Sequence, residues 1–467
     1  MGWSKIGRGL GIALLVLGWI VGPVLGTVTR EALILEGDRL FLAGDRLGAR
    51  ARYQEAKGEL GLPRLPRPPL TDPSGLPPAA RAYWREYETH ERLTRRLVAL
   101  ELVLEEAPHF LPARLRLAEH HAQRQEYRQA IAVLERGLTD YPDRGELVQA
   151  QVNLLTQQQK WLEAAIALNQ FAVFYPDRPE TAGFRQRAQS LRERHETELR
   201  QRVTENAIAN LLVGVAGYAG RGNPSGAVTA LQTFWALGRG ESALGQSYAE
   251  NLQKSLPMVE DPKIVAYVRR IGEKLAQYAG RDEFQYEFFV VKDKTANAFA
   301  LPGGKIFVNV GALLLSQSEA ELAGLLAHEI AHAVLSHGFQ LVSRGNLTAA
   351  ALQNVPGGDQ AATLLILSYS RDMERQADRL GTRLLASAGY AADGLRNLMV
   401  AFGREERERN REQPPPWLSS HPLNRERIQY LEGAIASQNL NRFAYEGLAE
   451  HQQILTTVKQ ILDRKDS

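Results

Sequence analysis

The chain contains no cysteine, which removes thiol nucleophiles, disulfides and thiolate metal sites at once. An oxidising, exported compartment, where stray thiols are a liability, fits that absence. Excess charge is equally scarce: 56 basic residues against 53 acidic ones leave a net charge of +3. That balance excludes the electrostatic footprint of a nucleic-acid binder. Long apolar runs are missing too, apart from one at the N-terminus, so a polytopic membrane protein is ruled out. Glycine clusters such as Gly238-Arg239-Gly240 lack the spacing and the Lys-Ser/Thr pair of a phosphate loop. What remains is a chain of 467 residues, 44% hydrophobic, long enough for two or three domains with their own cores.

Against those absences stands His328-Glu329-Ile330-Ala331-His332. On a helix, residues four apart lie about 40° round from each other and roughly 6 Å along the axis, so both imidazoles can reach one metal ion. Glu329 flanks the pair and is placed to take a proton from a water that such an ion polarises. The surrounding stretch SEAELAGLLAHEIAHAVLSH (318–337) carries Leu322, Leu325, Leu326, Ile330 and Ala333 at helical intervals, which predicts an amphipathic helix with a buried side. A core helix with two satisfied histidines is the bland alternative, and it leaves two imidazoles to be desolvated without a partner. The longer signature HExxHxxGxxH is excluded, because Leu335 and Gly338 stand where it needs Gly and His. His337, about 140° round from His332, faces away from the metal and reads as structural or exposed.

Hydrolytic zinc needs a third protein ligand and an open position. In SRDMERQAD (370–378), Met373, Ala377, Leu380 and Leu384 mark a second amphipathic helix, with Glu374 and Asp378 one turn apart on one face. Glu374 can supply the carboxylate ligand, and Asp378 can accept the spare N–H of a ligating histidine. Without the first helix, this pair would be an ordinary solvated acidic face.

Four ordered blocks carry a resemblance: NAFALPGGKIFVN (297–309), the helix around His328, SRDMERQAD, and SHPLNRERI (420–428). Together they resemble the HtpX and CAAX-prenyl-endopeptidase family of zinc metallopeptidases, in its exported, repeat-bearing BepA-like branch. The resemblance implies one Zn2+ per chain held by His328, His332 and Glu374, with Glu329 as general base. It also implies that His421 lies near the metal, either stabilising the oxyanion or occupying the open zinc position. A surface histidine on a proline-bounded loop is the other reading of His421. KIFVNV (305–310) follows a Pro-Gly-Gly turn and reads as a strand bordering the cleft. As an edge strand it would pair with an extended substrate through Ile306, Val308 and Asn309; as an interior strand it would not.

Lys5 and Arg8 precede the apolar run GLGIALLVLGWIVGPVLGTV (9–28), which is just long enough to span a bilayer. A signal anchor or a cleaved signal peptide both leave the rest of the chain exported, on the periplasmic side of a cell envelope or its equivalent. Pro108, Pro142 and Pro176 then recur at one constant interval, and the same interval separates Ala130 from Ala164, Leu134 from Leu168, and Tyr141 from Tyr175. That interval is the tetratricopeptide period, the mark of a helix-hairpin array. Residues 37–57 resemble one further unit, with Ala49, Tyr53 and Ala56 at packing positions. Seven prolines between Leu62 and Pro78 interrupt the array. Residues 181–202 read as a charged, solvated helix, and 207–220 with 226–238 as apolar helices too short to span a membrane. GNLTAAALQNVPGGDQAA (345–362) has the composition of a lid.

The expected architecture is mainly α with a small β-sheet (α+β): an N-terminal tetratricopeptide array joined to a zincin metallopeptidase domain. The expected divisions are a signal segment (1–29), repeats (30–190) with a proline-rich insertion (62–78), connecting helices (191–255), a metallopeptidase domain (256–435) and a C-terminal helix or tail (436–467). The expected function is hydrolysis of misfolded or assembling envelope proteins docked on the repeats, with a further docked protein partner, membrane contact through the N-terminus and no nucleic acid. A catalytically silent, chaperone-like binding module on the same fold is the alternative.

Overall fold

The computed structural model describes residues 29–58, 67–198, 201, 240–281, 283–343, 369–408, 417–418, 421 and 425–463. The N-terminal apolar run, the two short apolar stretches and the lid-like segment all lie outside the described residues, as does part of the proline-rich insertion. Among the described residues no helix is long and apolar enough to cross a membrane. The expectation of a mainly helical chain with one small sheet holds.

Helices α3 (Pro78–Thr89), α4 (Leu93–Glu106), α5 (Leu111–Gln123), α6 (Tyr127–Asp140), α7 (Gly145–Gln157) and α8 (Trp161–Phe174) follow the α-hairpin α1 (Arg30–Leu42) and α2 (Arg46–Lys57). The period seen in sequence is the period of the helices, since the starts of α5 and α7 are separated by the same interval as the prolines, and so are those of α6 and α8. Gln125 and Gln159, at equivalent points in successive hairpins, both adopt a left-handed turn (φ 60° and 57°). Pro108, Pro142 and Pro176 each stand just beyond a helix end, where a missing N–H costs nothing. Ala130, Leu134, Ala164 and Leu168 are wholly buried between neighbouring hairpins, and each leucine contributes about 2 kcal/mol by its burial. Residues 181–198 are helical but not solvated throughout: Phe184, Ala188 and Leu191 are buried, and Phe184 meets Phe171 edge-on at 5.1 Å. This helix closes the end of the array.

Hairpin α1–α2 packs at the far end of the chain. Asp38 accepts hydrogen bonds from the backbone N–H of Glu446 (3.0 Å) and Leu448 (2.8 Å) and from the Tyr53 hydroxyl (2.7 Å). Lys57 lies 2.8 Å from Asp393 and 2.6 Å from Glu446, and donates to the Arg442 carbonyl.

The C-terminal half holds α9 (Glu241–Ser255), α10 (Pro262–Ala276), strands β1 (Glu287–Val291), β2 (Ala298–Leu301) and β3 (Lys305–Asn309), then α11 (Val310–Leu315), α12 (Glu319–Val334), α13 (His337–Ser343), α14 (Arg371–Ser387), α15 (Gly394–Glu408), α16 (Arg425–Ser437) and α17 (Leu448–Asp463). The sheet order is β1-β3-β2, with β1 and β3 parallel and β2 antiparallel to β3. This corrects the edge-strand expectation for Ile306, Val308 and Asn309. Strand β3 is central and buried along its length, its ladder hydrogen bonds already used on both sides, so no substrate can pair with it. Order within a sheet is set by long-range packing, to which strand propensity is blind.

Helix α12 is buried from end to end. Ser318 caps it, its hydroxyl accepting from the Glu321 N–H (3.3 Å), while the Glu321 carboxylate accepts from the Gln317 N–H (2.8 Å). These bonds satisfy otherwise orphaned donors of the first turn. Glycines set the distance to its neighbours. A Cβ on Gly381 would come within 3.0 Å of the His328 backbone, and one on Gly324 within 2.4 Å of the Leu395 nitrogen. Without side chains there, α14 and α15 pack closely on α12, and the carboxylates of α14 come within reach of its histidines.

The two halves share one core. Leu162 and Ile166 of α8 belong to the same apolar cluster as Ile330 and Leu384. The Arg383 guanidinium sits 3.7 Å over the Phe174 ring, and Asn169 donates to the Gly280 carbonyl (2.8 Å).

Candidate metal centre

Helix α12 presents His328 and His332 on one face, and α14 crosses it with Glu374 and Asp378. The two Nε2 atoms are 3.1 Å apart. Glu374 Oε1 lies 3.3 Å from His332 Nε2, and Glu374 Oε2 lies 3.7 Å from His328 Nε2. His421 joins them, its Nδ1 2.8 Å from Glu374 Oε1 and 3.4 Å from His328 Nε2. Ligand atoms of His328, His332, Glu374 and His421 all lie within 4.8 Å of one another, and all four residues are buried. Ligands held about 2.0–2.1 Å from a tetrahedral ion are about 3.3 Å apart, so the observed spacings fit a divalent ion.

Electrostatics agree with a ligand set. Burial pushes His332 well below the usual histidine range, so its ring is neutral with a lone pair available. Burial alone would raise Glu374, but the charges of His421 and Arg427 and a hydrogen bond from His421 hold it well below the carboxylate range. Asp378 is lowered in the same way, Arg427 outweighing desolvation. His421 moves upward: burial opposes its charge, but Glu374 and Glu329 favour it.

Asp378 Oδ1 stands 3.1 Å from His328 Nδ1, the position from which a carboxylate orients a ligating ring. Arg427 on α16 holds that carboxylate with two 2.7 Å hydrogen bonds, and its Nη1 lies 2.9 Å from Glu374. Glu329 is fixed through one oxygen only: Trp417 Nε1 donates to Oε1 at 3.0 Å. Its Oε2 is buried with no hydrogen-bond partner among the described residues.

Arg427 and Trp417 were not singled out by sequence reasoning. Both lie in or beside the SHPLNRERI block, but only the folded chain brings them to α12 and α14. His337 is buried, not exposed; it does point away from the ligand atoms, towards the back of His332, with Nδ1 3.0 Å from His332 Nδ1.

Comparison with known proteins agrees with this geometry. Residues 262–435 match peptidase family M48, and residues 97–157 match a tetratricopeptide repeat. The chain carries an M48 peptidase domain. The resemblance read from the four sequence blocks therefore holds, and the M48 domain contains every candidate ligand. A putative beta-barrel assembly-enhancing protease of Vibrio cholerae serotype O1 is 32% identical over 207 residues, 40% of this chain and 42% of that protein. The beta-barrel assembly-enhancing protease of Escherichia coli (strain K12) is 26% identical over 210 residues, 40% of this chain and 42% of the relative. The mitochondrial metalloendopeptidase OMA1 of Schizosaccharomyces pombe is 29% identical over 204 residues, covering 42% and 60%. The chain thus spans less than two thirds of each relative's length.

Proposed function

We propose that this chain is an exported zinc metalloendopeptidase that cleaves unfolded or assembling envelope proteins, with His328, His332 and Glu374 as ligands and Glu329 as general base. The observation that carries the reading is the convergence of two imidazoles and a carboxylate from separate helices beside a buried carboxylate with one free oxygen. A zinc ion held there would supply Lewis acidity to a scissile carbonyl and to the attacking water. Glu329 Oε2 accepts the proton of that water and passes it to the leaving amine. Asp378, locked by Arg427, keeps the His328 ring oriented. His421 is a fourth donor within the group; it would either take the remaining position on such an ion or stabilise a developing oxyanion.

Substrate access supports the peptide reading. A cavity of about 1080 Å³ runs between the repeats and the centre, lined by Glu101, Arg114 and Arg136 on one wall and by Tyr369, Glu374 and Arg375 on the other. Its open form suits an extended segment held by the array while one peptide bond sits at the metal. The N-terminal apolar run would keep the molecule at the membrane surface. The divisions proposed from sequence place this cavity between the repeats of 30–190 and the peptidase domain of 256–435.

Casein cleavage by the zinc-loaded chain and its Glu329→Gln variant, with zinc content measured on both, tests the reading. We expect zinc in both and a rate about 10²–10⁴-fold lower in the variant. Zinc in both with cleavage by neither would point to the silent, chaperone-like module, and no zinc in either would remove the metallopeptidase reading altogether.

A further inference from the structure

We propose that His337 is a positioning residue that holds His332 in the one tautomer able to ligate a metal, as the middle member of a chain running from His332 through His337 to Gln376. The inference rests on the metal-site reading and goes beyond it, since the sequence pattern gives His337 no part in the centre.

His332 turns Nε2 towards His328 and Glu374. To offer a lone pair there, its proton must sit on Nδ1, and a buried N–H needs an acceptor. His337 Nδ1 is 3.0 Å from His332 Nδ1, while His337 Nε2 is 3.2 Å from Gln376 Oε1. A single arrangement satisfies every atom and leaves His332 Nε2 free: His332 Nδ1–H donates to His337 Nδ1, and His337 Nε2–H donates to the Gln376 carbonyl oxygen. Reversing the chain would place a proton on His332 Nε2 and close that ligand position. Both rings are buried, so water cannot substitute for either partner.

The backbone is built to bring the ring there. Helix α12 ends at Val334, and Ser336 takes a left-handed conformation (φ 51°), which is unfavourable for a residue with a side chain. Arg281 donates to the Val334 carbonyl (2.8 Å) and to the Ser336 hydroxyl (3.1 Å), and that hydroxyl donates to Glu241 (2.7 Å). The turn sends the chain back, so that His337, which would point elsewhere on a continuous helix, meets the rear of His332.

The two ligating histidines are therefore supported differently. His328 has an anionic partner, Asp378, whereas His332 has a neutral one. An anionic partner raises the basicity of its ligand and adds charge to the site. With Glu374, Glu329 and Asp378 already present, a neutral acceptor behind His332 fixes the ring without adding a fourth carboxylate.

The test measures zinc affinity of the full chain by chelator competition in wild type, His337→Phe and His337→Asn. Phe keeps ring bulk and removes the acceptor; Asn puts a carbonyl oxygen near the place of Nδ1. We expect affinity to fall about 10–100-fold with Phe and to return to within a few-fold with Asn. Wild-type affinity in a folded Phe variant, or equal loss in folded Phe and Asn variants, would overturn the proposal. Should Phe fail to fold, nitrogen-15 histidine spectra of the zinc-loaded wild type decide it. His332 protonated at Nδ1 with His337 protonated at Nε2 is the expected pattern, and a proton on His337 Nδ1 refutes it. Wild type that holds no zinc would defeat the metallopeptidase reading, whereas zinc bound equally well by wild type and His337→Phe would defeat this inference alone.

Discussion

The repeat helices and the core around α12 solve burial in opposite ways. Between α3 and α8 the buried polar side chains are Arg114 and His120, and Arg114 donates locally to the carbonyls of Val133 and Pro108. Around α12, Glu319, Glu321, Glu329, Glu374, Asp378, Arg427 and Glu446 are all buried, with partners drawn largely from elements distant in sequence. Apolar packing is non-directional and repeats with the helix, so one register serves every hairpin. Buried charge needs a specific partner at a specific distance. The array is therefore tolerant and periodic, and the core is exacting and aperiodic.

The largest effect that would sharpen this contrast is expected at Lys57. Replacement by Met leaves Asp393 and Glu446 buried without their cation, and we expect the whole chain to lose about 3–5 kcal/mol. Urea denaturation followed at both ends of the molecule checks it; a loss below ~1 kcal/mol would show that the core tolerates unpaired charge as well as the array tolerates substitution. Leu134→Ala in the array should cost about 3 kcal/mol through lost contacts and a cavity. Limited proteolysis should find the new cuts among the repeats while zinc content stays unchanged; zinc loss would mean that the shared core transmits the damage.

Glu321 gives the smallest effect and the clearest sign. Burial pushes its carboxyl up to about 7 from an ordinary 4.5, so the folded state prefers the proton. Below about pH 4.5 the group is protonated in both states and contributes nothing. Between about 4.5 and 7 the unfolded chain releases its proton first, so folding is progressively disfavoured, by about 3 kcal/mol at most. Glu321→Gln keeps an acceptor for Gln317 and removes the titration. The variant should melt higher than wild type at pH 8 and level with it at pH 4.5; an equal difference at both values would exclude the linkage.

The same contrast explains what is legible in the sequence alone. Two histidines four apart on an apolar stripe, a carboxylate pair one turn apart and prolines one repeat apart are local patterns, and local geometry carries them into the fold. Arg427 could not be found that way, because it acts on Asp378, 49 residues earlier. Trp417 reaches Glu329 across 88 residues. The central place of β3 depends on β1 and β2 both choosing it, and nothing within KIFVNV records that choice. For His337 the structural reading holds and the exposed one does not, because the backbone turns at Ser336 and carries the ring against His332.

Asp38 and the backbone of Glu446 and Leu448 are separated by 408 and 410 residues. No unfinished product shorter than those positions can make these bonds, so hairpin α1–α2 leaves the ribosome long before its partner and waits until Leu448 has been added. Closure of the ring formed by these two distant segments is thus a late event of synthesis, and a message cut short before Leu448 yields a chain whose early hairpin has nowhere to dock.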